Sequence, residues 1–442
     1  MIRSVFLRRV CPALLMTAVL LTVGCSDNEK SQPSGSQSSE GNTAESTPVT
    51  PDDPAAVETL TKAGFKLTKN DTGNVTAVSM AFNEDRAEQL GLLKGLPSIT
   101  SIQFTGPALT DAGLEVLAEL PQLERLNLAD SKASDGALKA CTGLKNLEVL
   151  QLRRAAISND GLAHLAGLPA LRAVDVRNTK VSDDGLQHLA KIKSLVDVQF
   201  EKCDVTDAGV QTISSLKLRS INLNFCTSVS DATMPVLGTM KDLASIQLSE
   251  TDVTDAGMAS LAGLTKLKRL RLTGTDVTHE GFAHIANIHT IERLGLRGTS
   301  LDPEAMEIIG NLPNVGFLDI SECRLLSGPD FAPLSRMTKL KTLICWETGL
   351  DDTVFTTLGG LKDLEELNIA STSVTDASVD TLLGFSKLKK LNVSGTQLTD
   401  EGFIQLSKLP SLTSLNVANT NIGFDIIDEL KAAKEGLDVQ EY

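Results

Sequence analysis

A pattern of apolar residues recurs about every 24 residues through most of this 442-residue chain. In the copy at 243–266, Leu243, Ile246 and Leu248 follow the spacing of a strand, and Met258 begins a stretch with apolar residues three apart, as on a short helix. Seven apolar positions in 24 residues cannot build a core alone, so each copy must pack against the copies on both sides. The pattern therefore predicts a linear array of repeats.

The first apolar position of the repeat is aliphatic in all fourteen copies, and the spacing slips only around Leu218 and before Leu340. Its occupants are Ile99, Leu123, Leu147, Leu171, Leu195, Leu218, Leu243, Leu267, Ile291, Val315, Leu340, Leu364, Leu388 and Leu412. Val75 lies 24 residues before Ile99, which predicts one more, degenerate strand. Because aromatic residues make up only 3% of the chain, we expect an aliphatic core rather than one built on large rings.

Small polar residues follow each predicted strand. Eight residues after the first position stands Ser, Thr or Cys, with Pro107 and Ala155 as exceptions, and these side chains are expected to pair with turned backbone. Next comes an Asp that is mostly preceded by Ser or Thr; either residue could cap the following helix. A Gly two residues later is expected where neighbouring backbones approach closely. One Asp per repeat is too sparse for a calcium column.

The sequence motif V-T-D-A-G, present at 205–209 and 253–257, resembles the repeat motif of bacterial leucine-rich repeat proteins of the class that carries Thr or Cys at the turn. The resemblance covers about residues 75–435. It implies an α/β fold: a right-handed leucine-rich repeat solenoid, or horseshoe, with a parallel sheet on the concave side and short helices on the convex side. Prolines interrupt the pattern within 301–337, where we expect loop or 3₁₀ structure.

The amino-terminal segment 1–24 is typical of a signal peptide, because three arginines precede an apolar stretch too short to span a bilayer. The sequence up to Cys25, LTVGC, resembles a bacterial lipobox, which implies lipidation of Cys25 and an extracytoplasmic, membrane-anchored lipoprotein of the cell envelope. An ordinary cleaved signal, with Cys25 incidental, is the alternative.

The remaining boundaries follow from composition and periodicity. Residues 25–53 are rich in Ser, Pro, Gly and Glu and predict a disordered, lipid-anchored linker. We expect an amino-terminal cap at 54–98, the repeat array at 99–435, and a carboxy-terminal cap at 436–442. A last helix is predicted at 424–434 and a short closing strand at 436–439.

Charge and motifs restrict the function. A net charge of −15 and a pI near 4.9 argue against a nucleic-acid partner. No catalytic or nucleotide-binding motif stands outside the repeat pattern, so we expect no enzyme, no cofactor and no metal site; His164 and His188 are neighbours but lack a third ligand. Whether Cys203 and Cys226, on adjacent strands, form a disulfide stays open.

Candidate binding residues lie where the strands face solvent on the concave side. Arginines cluster in two pairs of adjacent repeats, and a few aromatic residues accompany them. The candidates are Arg153, Arg177, Arg271, Arg297, Phe225 and Trp346, with Trp346 expected to be exposed. They predict a non-catalytic scaffold for a protein partner, possibly acidic, or for a polysaccharide. The alternatives are a structural envelope component that self-associates, and charges that only confer solubility.

Overall fold

Seventeen strands form one sheet in the part of the chain, residues 50–441, that the computed structural model describes. β1 and β2 form an antiparallel hairpin, and every later strand pairs in parallel with its predecessor. The strands are β1 (Lys66–Lys69), β2 (Val75–Ala81), β3 (Ser101–Thr105), β4 (Arg125–Asn127), β5 (Val149–Gln151), β6 (Ala173–Asp175), β7 (Asp197–Gln199), β8 (Ser220–Asn222), β9 (Ser245–Gln247), β10 (Arg269–Arg271), β11 (Arg293–Gly295), β12 (Phe317–Asp319), β13 (Thr342–Ile344), β14 (Glu366–Asn368), β15 (Lys390–Asn392), β16 (Ser414–Asn416) and β17 (Asp438–Gln440).

Short helices cover the other side of each repeat. The α-helices are α1 (Pro54–Lys62), α2 (Ala87–Leu90), α3 (Asp135–Ala140), α4 (Asn159–Leu162), α5 (Asp183–Leu189), α6 (Asp207–Thr212), α7 (Met234–Thr239), α8 (Asp255–Met258), α9 (His279–Ala283), α10 (Pro303–Gly310), α11 (Asp352–Leu358), α12 (Val379–Leu383), α13 (Asp400–Leu406) and α14 (Phe424–Ala433). The 3₁₀ helices are Gly91–Gly95, Leu114–Glu119, Cys141–Gly143, Ala163–Leu165, Asp231–Thr233, Ala259–Leu261, Gly328–Arg336 and Asp376–Ser378. None of the helices within 50–441 is both long and apolar enough to cross a membrane.

The predicted repeat register is confirmed. All fourteen first-position aliphatics are buried, and Leu270 and Leu272 are examples of the two further inward positions, both fully buried. Burial of each such side chain contributes about 1.5–3 kcal/mol. These residues form one continuous core between sheet and helices. The fold is thus the expected right-handed leucine-rich repeat solenoid.

The first strands depart from the expected aliphatic core. Val75 is buried at the start of β2, and β2 pairs with β3 at the 24-residue offset, as predicted. The rings of Phe65, Phe82 and Phe104 meet edge to face with centroids 5.3–6.0 Å apart. Phenylalanines are also buried further along the array, among them Phe200, Phe282 and Phe403. The expectation of a core without large rings is therefore wrong at these positions, where each ring adds a large buried apolar area.

The two proline segments behave differently. Gly328–Arg336 is 3₁₀, as expected, but Pro303 begins the regular helix α10. Proline at the first helical position loses no hydrogen bond, and Asp302 caps α10 by accepting from the Ala305 N–H at 2.8 Å. The expectation of irregular structure there is therefore wrong. At the far end, α14 precedes β17, which pairs with β16 as predicted.

The repeated Asp does not cap its own helix, as we had expected it could. Its carboxylate instead accepts hydrogen bonds from the next repeat, as when Asp255 accepts from the Thr278 N–H at 2.8 Å and the Thr278 hydroxyl at 2.7 Å. The same two bonds join Asp111 to Ser134, Asp135 to Ser158, Asp183 to Thr206, Asp207 to Ser230, Asp231 to Thr254, Asp352 to Thr375 and Asp376 to Thr399. The Asp column therefore fastens successive repeats together.

The need for glycine two residues after the position of the repeated Asp follows from the contact between the Asp carboxylate and the next repeat. A Cβ at Gly209 would collide with the Asp183 carboxylate of the preceding repeat, and a Cβ at Gly281 would collide with Asp255. The close approach is thus to a side chain from the neighbouring repeat rather than to its backbone.

The turn residues pair with backbone carbonyls, as predicted. A hydroxyl donates within its own repeat, as from Thr275 to the Leu272 carbonyl at 2.7 Å. The longer thiols of Cys203 and Cys323 reach a carbonyl of the preceding repeat, at 3.1 and 3.3 Å. Hydroxyl and thiol thus satisfy different carbonyls at equivalent positions.

Candidate partner-binding face

The concave face, meaning the solvent side of the sheet, carries the residues between the buried strand positions. In β10, Arg269 and Arg271 point to solvent while Leu270 is buried between them, as strand alternation requires. Parallel register sets Arg269 beside Arg293 of β11, with about 4.8 Å between the strands. Residues 24 apart in sequence therefore lie side by side on this face.

A left-handed residue follows each strand of the array. Seven residues after the first position, φ is positive in all fourteen repeats, ten times at a residue other than glycine, including Arg154 at 57° and Phe225 at 60°. A left-handed backbone costs such residues about 1–2 kcal/mol each. Sequence reasoning missed this turn, although Gly106, Gly274 and Gly298 at the equivalent position signalled it.

The first pair of predicted arginines is neutralised by acids. The Arg153 guanidinium lies 2.5 Å from the Asp130 carboxylate, which Arg154 also contacts at 3.0 Å. Desolvation alone would raise the pKa of Asp130, but these two arginines outweigh it and lower that pKa. Arg177 holds Asp175 through two hydrogen bonds of 2.9 and 2.7 Å, and this contact raises the pKa of Arg177.

The structure brings Arg297 and Trp346 together. The Arg297 guanidinium lies 4.6 Å from the centre of the Trp346 ring and 2.6 Å from Glu322. Trp346 is consequently half-buried, and the expectation of an exposed Trp is wrong because the guanidinium covers part of the ring. Sequence alone did not indicate this contact between residues 49 positions apart in the chain.

Two more cation–aromatic pairs occur, one in the turns after β7 and β8 and the other on β11 and β12. Lys202 sits 4.7 Å from the ring centre of Phe225, whose side chain remains 43% exposed, and Arg293 sits 4.1 Å from that of Phe317. Each contact is worth about 0.5–1 kcal/mol at an exposed site. All three aromatic side chains are thus held in place beside a cation.

Three arginines of β10 and β11 have a different environment. Among the described residues, no carboxylate forms an ion pair with Arg269, Arg271 or Arg293. Desolvation and the charge of neighbouring Arg271 lower the pKa of Arg269, and desolvation with the charges of Arg269 and Arg271 lowers that of Arg293. We call these three residues the arginine cluster. Of the four arginines predicted to bind a partner, Arg271 alone belongs to it.

Two acids lie between the two groups of arginines, on β6 and β7. Asp175 is buried beside Arg177, while Asp197 accepts a hydrogen bond from Gln199 at 2.6 Å. Burial raises the pKa of Asp197. Acidic side chains therefore lie on β6 and β7, whereas β10 and β11 carry the arginine cluster.

An open cavity of about 580 Å³ lies beside the arginine cluster. Gly316, which has no side chain, and Phe317 form part of its lining. The other lining residues are Glu292, Arg293, Lys341, Thr342, Glu365, Glu366, Lys389 and Lys390. Because both signs of charge line it, the cavity suits a polar ligand with separated charges better than an apolar one.

Cysteine and histidine side chains play other parts. The five cysteines within 50–441 are free and buried, so Cys203 and Cys226 are not bridged. Burial raises the pKa of Cys226 and of Cys141 to about 12.

Among the described histidines, His279 forms an ion pair with an acid, since its Nδ1 lies 2.6 Å from Asp302. With Glu304 these two form the one group within 50–441 whose atoms could share a metal ion.

Comparison with known proteins supports the fold. Residues 386–407 match the protein family described as Leucine Rich repeat. A leucine-rich repeat protein of Leptospira interrogans is similar in structure with a TM-score of 0.50 and 16% identity, over 79% of this chain and 91% of that one. An internalin of Listeria monocytogenes has 18% identity and a TM-score of 0.41, over 88% and 95% of the two chains. No curated protein matches the sequence.

A third structure, the ectodomain of an Arabidopsis thaliana receptor kinase, GASSHO1/SCHENGEN3, was solved in complex with CASPARIAN STRIP INTEGRITY FACTOR 2. It is 13% identical, with a TM-score of 0.47, over 85% of this chain and 51% of that chain. At these identities the likeness concerns the fold, and function must be argued from the residues of the concave face.

Proposed function

We propose that this protein is a non-catalytic binding scaffold that recognises a protein partner on its concave face. The observation that carries the proposal is the set of three aromatic side chains, Phe225, Phe317 and Trp346, each held beside a cation at the ends of strands or within them. Aromatic residues and arginine dominate the energetics of protein interfaces.

Rigidity of the face adds support. Outward residues within the strands, such as Arg271 and Phe317, stand where the register is fixed by parallel pairing on both sides, as for β10 between β9 and β11. Side chains held in this way lose little freedom on binding, so more of the contact energy appears as affinity. A polysaccharide is the other ligand that such a face could take.

Export and anchoring belong to the same proposal. The signal peptide at 1–24, Cys25 and the linker to position 49 lie outside the described residues, so sequence is their only support. We propose an extracytoplasmic lipoprotein tethered to a membrane through Cys25. Metabolic labelling with a fatty acid should mark the wild type and not Cys25→Ala; an unlabelled wild type would refute the anchor.

Self-association is the second candidate. Two large apolar side chains are strongly exposed, Leu325 at 65% and Phe424 at 84%, and neither lies on a strand of the concave face. Buried against a second copy, they would support a structural role. Light scattering decides: a concentration-dependent dimer that Phe424→Ser abolishes favours this role, and a monomer at all concentrations excludes it.

The main test compares variants of the concave face. A partner captured by crosslinking on intact cells is purified and titrated against the intact protein, Trp346→Ala, Phe225→Ala and the convex control Gln187→Ala. We expect Trp346→Ala to weaken binding by about 2 kcal/mol, as for an interface hot spot, while Gln187→Ala has no effect. Circular dichroism checks that the variants fold. Equal binding by all four proteins would refute the concave site.

A further inference from the structure

The arginine cluster is an island of uncompensated positive charge. The residues beside it in register are Ser245 and Gln247 on β9, Gly295 on β11 and Phe317 on β12, and none of them is acidic. The nearby Glu292 is already paired with Lys268 at 2.9 Å. Every other arginine in the predicted set has an acid within 3.1 Å.

The acid nearest in register is Asp319 on β12, which stands beside Gly295, accepts from the Ser321 N–H at 3.1 Å and the Ser321 hydroxyl at 2.7 Å, and forms no ion pair with the described arginines of the cluster. The acids whose charges act on Arg269 and Arg293 lie further away. Asp197 on β7 and Glu366 on β14 each lie three strands away, about 14 Å along the sheet. Desolvation, together with the charges of neighbouring arginines, lowers the pKa of Arg269 and of Arg293, so holding the three guanidinium groups together without an anion is unfavourable. A bound oxyanion would relieve this repulsion and form charge-assisted hydrogen bonds with all three groups.

Gly295 helps to shape the cluster. It stands opposite Arg271 in register, and the Arg271 side chain lies across it, with Cγ 3.3 Å from where a glycine Cβ would be. A larger residue would displace Arg271. The missing side chain thus lets Arg271 lean towards β11, the strand that carries Arg293.

We propose that Arg269, Arg271 and Arg293 form an oxyanion-binding subsite that receives a glutamate or aspartate carboxylate from a protein partner. The proposal rests on the concave face being the partner-binding face. It names the chemistry of the contact: the partner presents one or two acidic residues at β10–β11, and its neighbouring residues extend over Phe317 into the adjoining cavity.

A peptide segment fits better than a polyanionic polymer. Beyond the cluster, the cavity lining includes Glu292, Glu365 and Glu366 together with lysines, so charge alternates along the face. A sulfated or phosphorylated polymer would place successive anions against these glutamates. An isolated carboxylate followed by polar or basic residues meets the cluster without that repulsion.

The probe is a rhodamine-labelled, end-capped peptide in which two Glu residues stand in an otherwise uncharged Gly and Ser sequence, and its counterpart with Gln in place of both Glu residues is the uncharged control. Fluorescence anisotropy at low ionic strength follows binding to the intact protein, to Arg269→Gln, Arg271→Gln and Arg293→Gln, and to Lys180→Gln. Lys180 is exposed in the turn after β6, so its replacement removes the same charge elsewhere.

The Glu peptide should bind, and the Gln peptide should bind at least about tenfold more weakly. Each cluster variant should lose about tenfold in affinity, the low end for a charge-assisted hydrogen bond, and Lys180→Gln less than about twofold. Equal binding of both peptides, or an equal loss in Lys180→Gln, would overturn the subsite. Tighter binding of heparin that depends on Arg271 would overturn its assignment to a protein segment.

The two proposals fail separately. If the captured partner loses affinity for Trp346→Ala but binds the three cluster variants normally, the subsite is wrong and the concave scaffold stands. If the cluster variants lose affinity for the Glu peptide while the partner binds every concave variant with unchanged affinity, the subsite stands and the proposed function is wrong.

Discussion

Removal of one Asp that joins two repeats should cost far more than removal of a surface acid. Asp207 accepts from the Ser230 N–H at 2.9 Å, the Ser230 hydroxyl at 2.7 Å and the Thr233 hydroxyl at 2.5 Å. These bonds tie the repeat of β7 to that of β8. Asp207→Ala removes them all and leaves the three donors without this acceptor.

The expected cost is about 3 kcal/mol. A hydrogen bond to a charged group contributes about 1.5–3 kcal/mol, and the low end applies because Asp207 is only half-buried and water can replace part of the contact. Asp207→Asn should cost less, since Asn159 occupies the equivalent position two repeats earlier and still accepts from the Ser182 N–H at 2.9 Å. Asp204→Ala, an exposed acid three residues away, should cost less than about 0.5 kcal/mol.

Equilibrium urea unfolding of the intact protein measures these differences, with hydrogen exchange to show whether the weakened boundary opens first. Desolvation favours a higher pKa for Asp207, but the hydrogen bonds from Ser230 and Thr233 lower it below 3.8. Its stabilisation is therefore complete above the unfolded pKa and is lost as pH falls through the folded pKa. Equal stabilities of Asp207→Ala and Asp204→Ala at neutral pH would refute the fastening role.

Three further outcomes follow from the same contacts. Gly209→Ala should destabilise by about 1–3 kcal/mol in urea unfolding, since its Cβ meets Asp183, whereas Gly167→Ala, with open space around it, should not destabilise; equal effects would contradict the packing. The five buried thiols should resist iodoacetamide in the native protein and all react after unfolding, and an unalkylated pair among these five positions by mass spectrometry would reveal a bridge. Hydrogen bonding to Asp302 raises the pKa of His279, so the melting temperature should exceed that of His279→Gln below pH 6.5, and this advantage should vanish as pH rises through the raised pKa; a pH-independent difference would exclude the charged pair.

The fold could be predicted from the sequence because its apolar pattern is periodic. Fourteen aliphatics such as Leu123 and Leu267 recur at one spacing, and only a stack of repeats can bury them together. The extra strand at Val75 followed from the same spacing. Pro303 misled us because proline is compatible with the first turn of a helix as well as with a loop.

The binding face was less accessible to sequence reasoning. The position of a residue within the repeat indicated whether its side chain points to solvent. Ion pairing, however, depends on which neighbouring side chain a long side chain reaches. Arg153, in the turn after β5, meets Asp130 at the left-handed position of the preceding repeat, whereas Arg271, within β10, forms no ion pair among the described residues. The role of the repeated Asp was ambiguous for the same reason, since the groups that donate hydrogen bonds to its carboxylate lie 23 residues further along the chain.

The central claim, that the concave face binds a protein partner, is tested most directly by site-specific photo-crosslinking on intact cells. A benzophenone amino acid replaces Gln247, which lies beside Arg271 in register, or Gln187, exposed on the convex helix α5. We predict a discrete protein adduct from position 247 that Arg271→Glu abolishes, and none from position 187. Adducts from 187 and not 247, or adducts unaffected by Arg271→Glu, would contradict the claim.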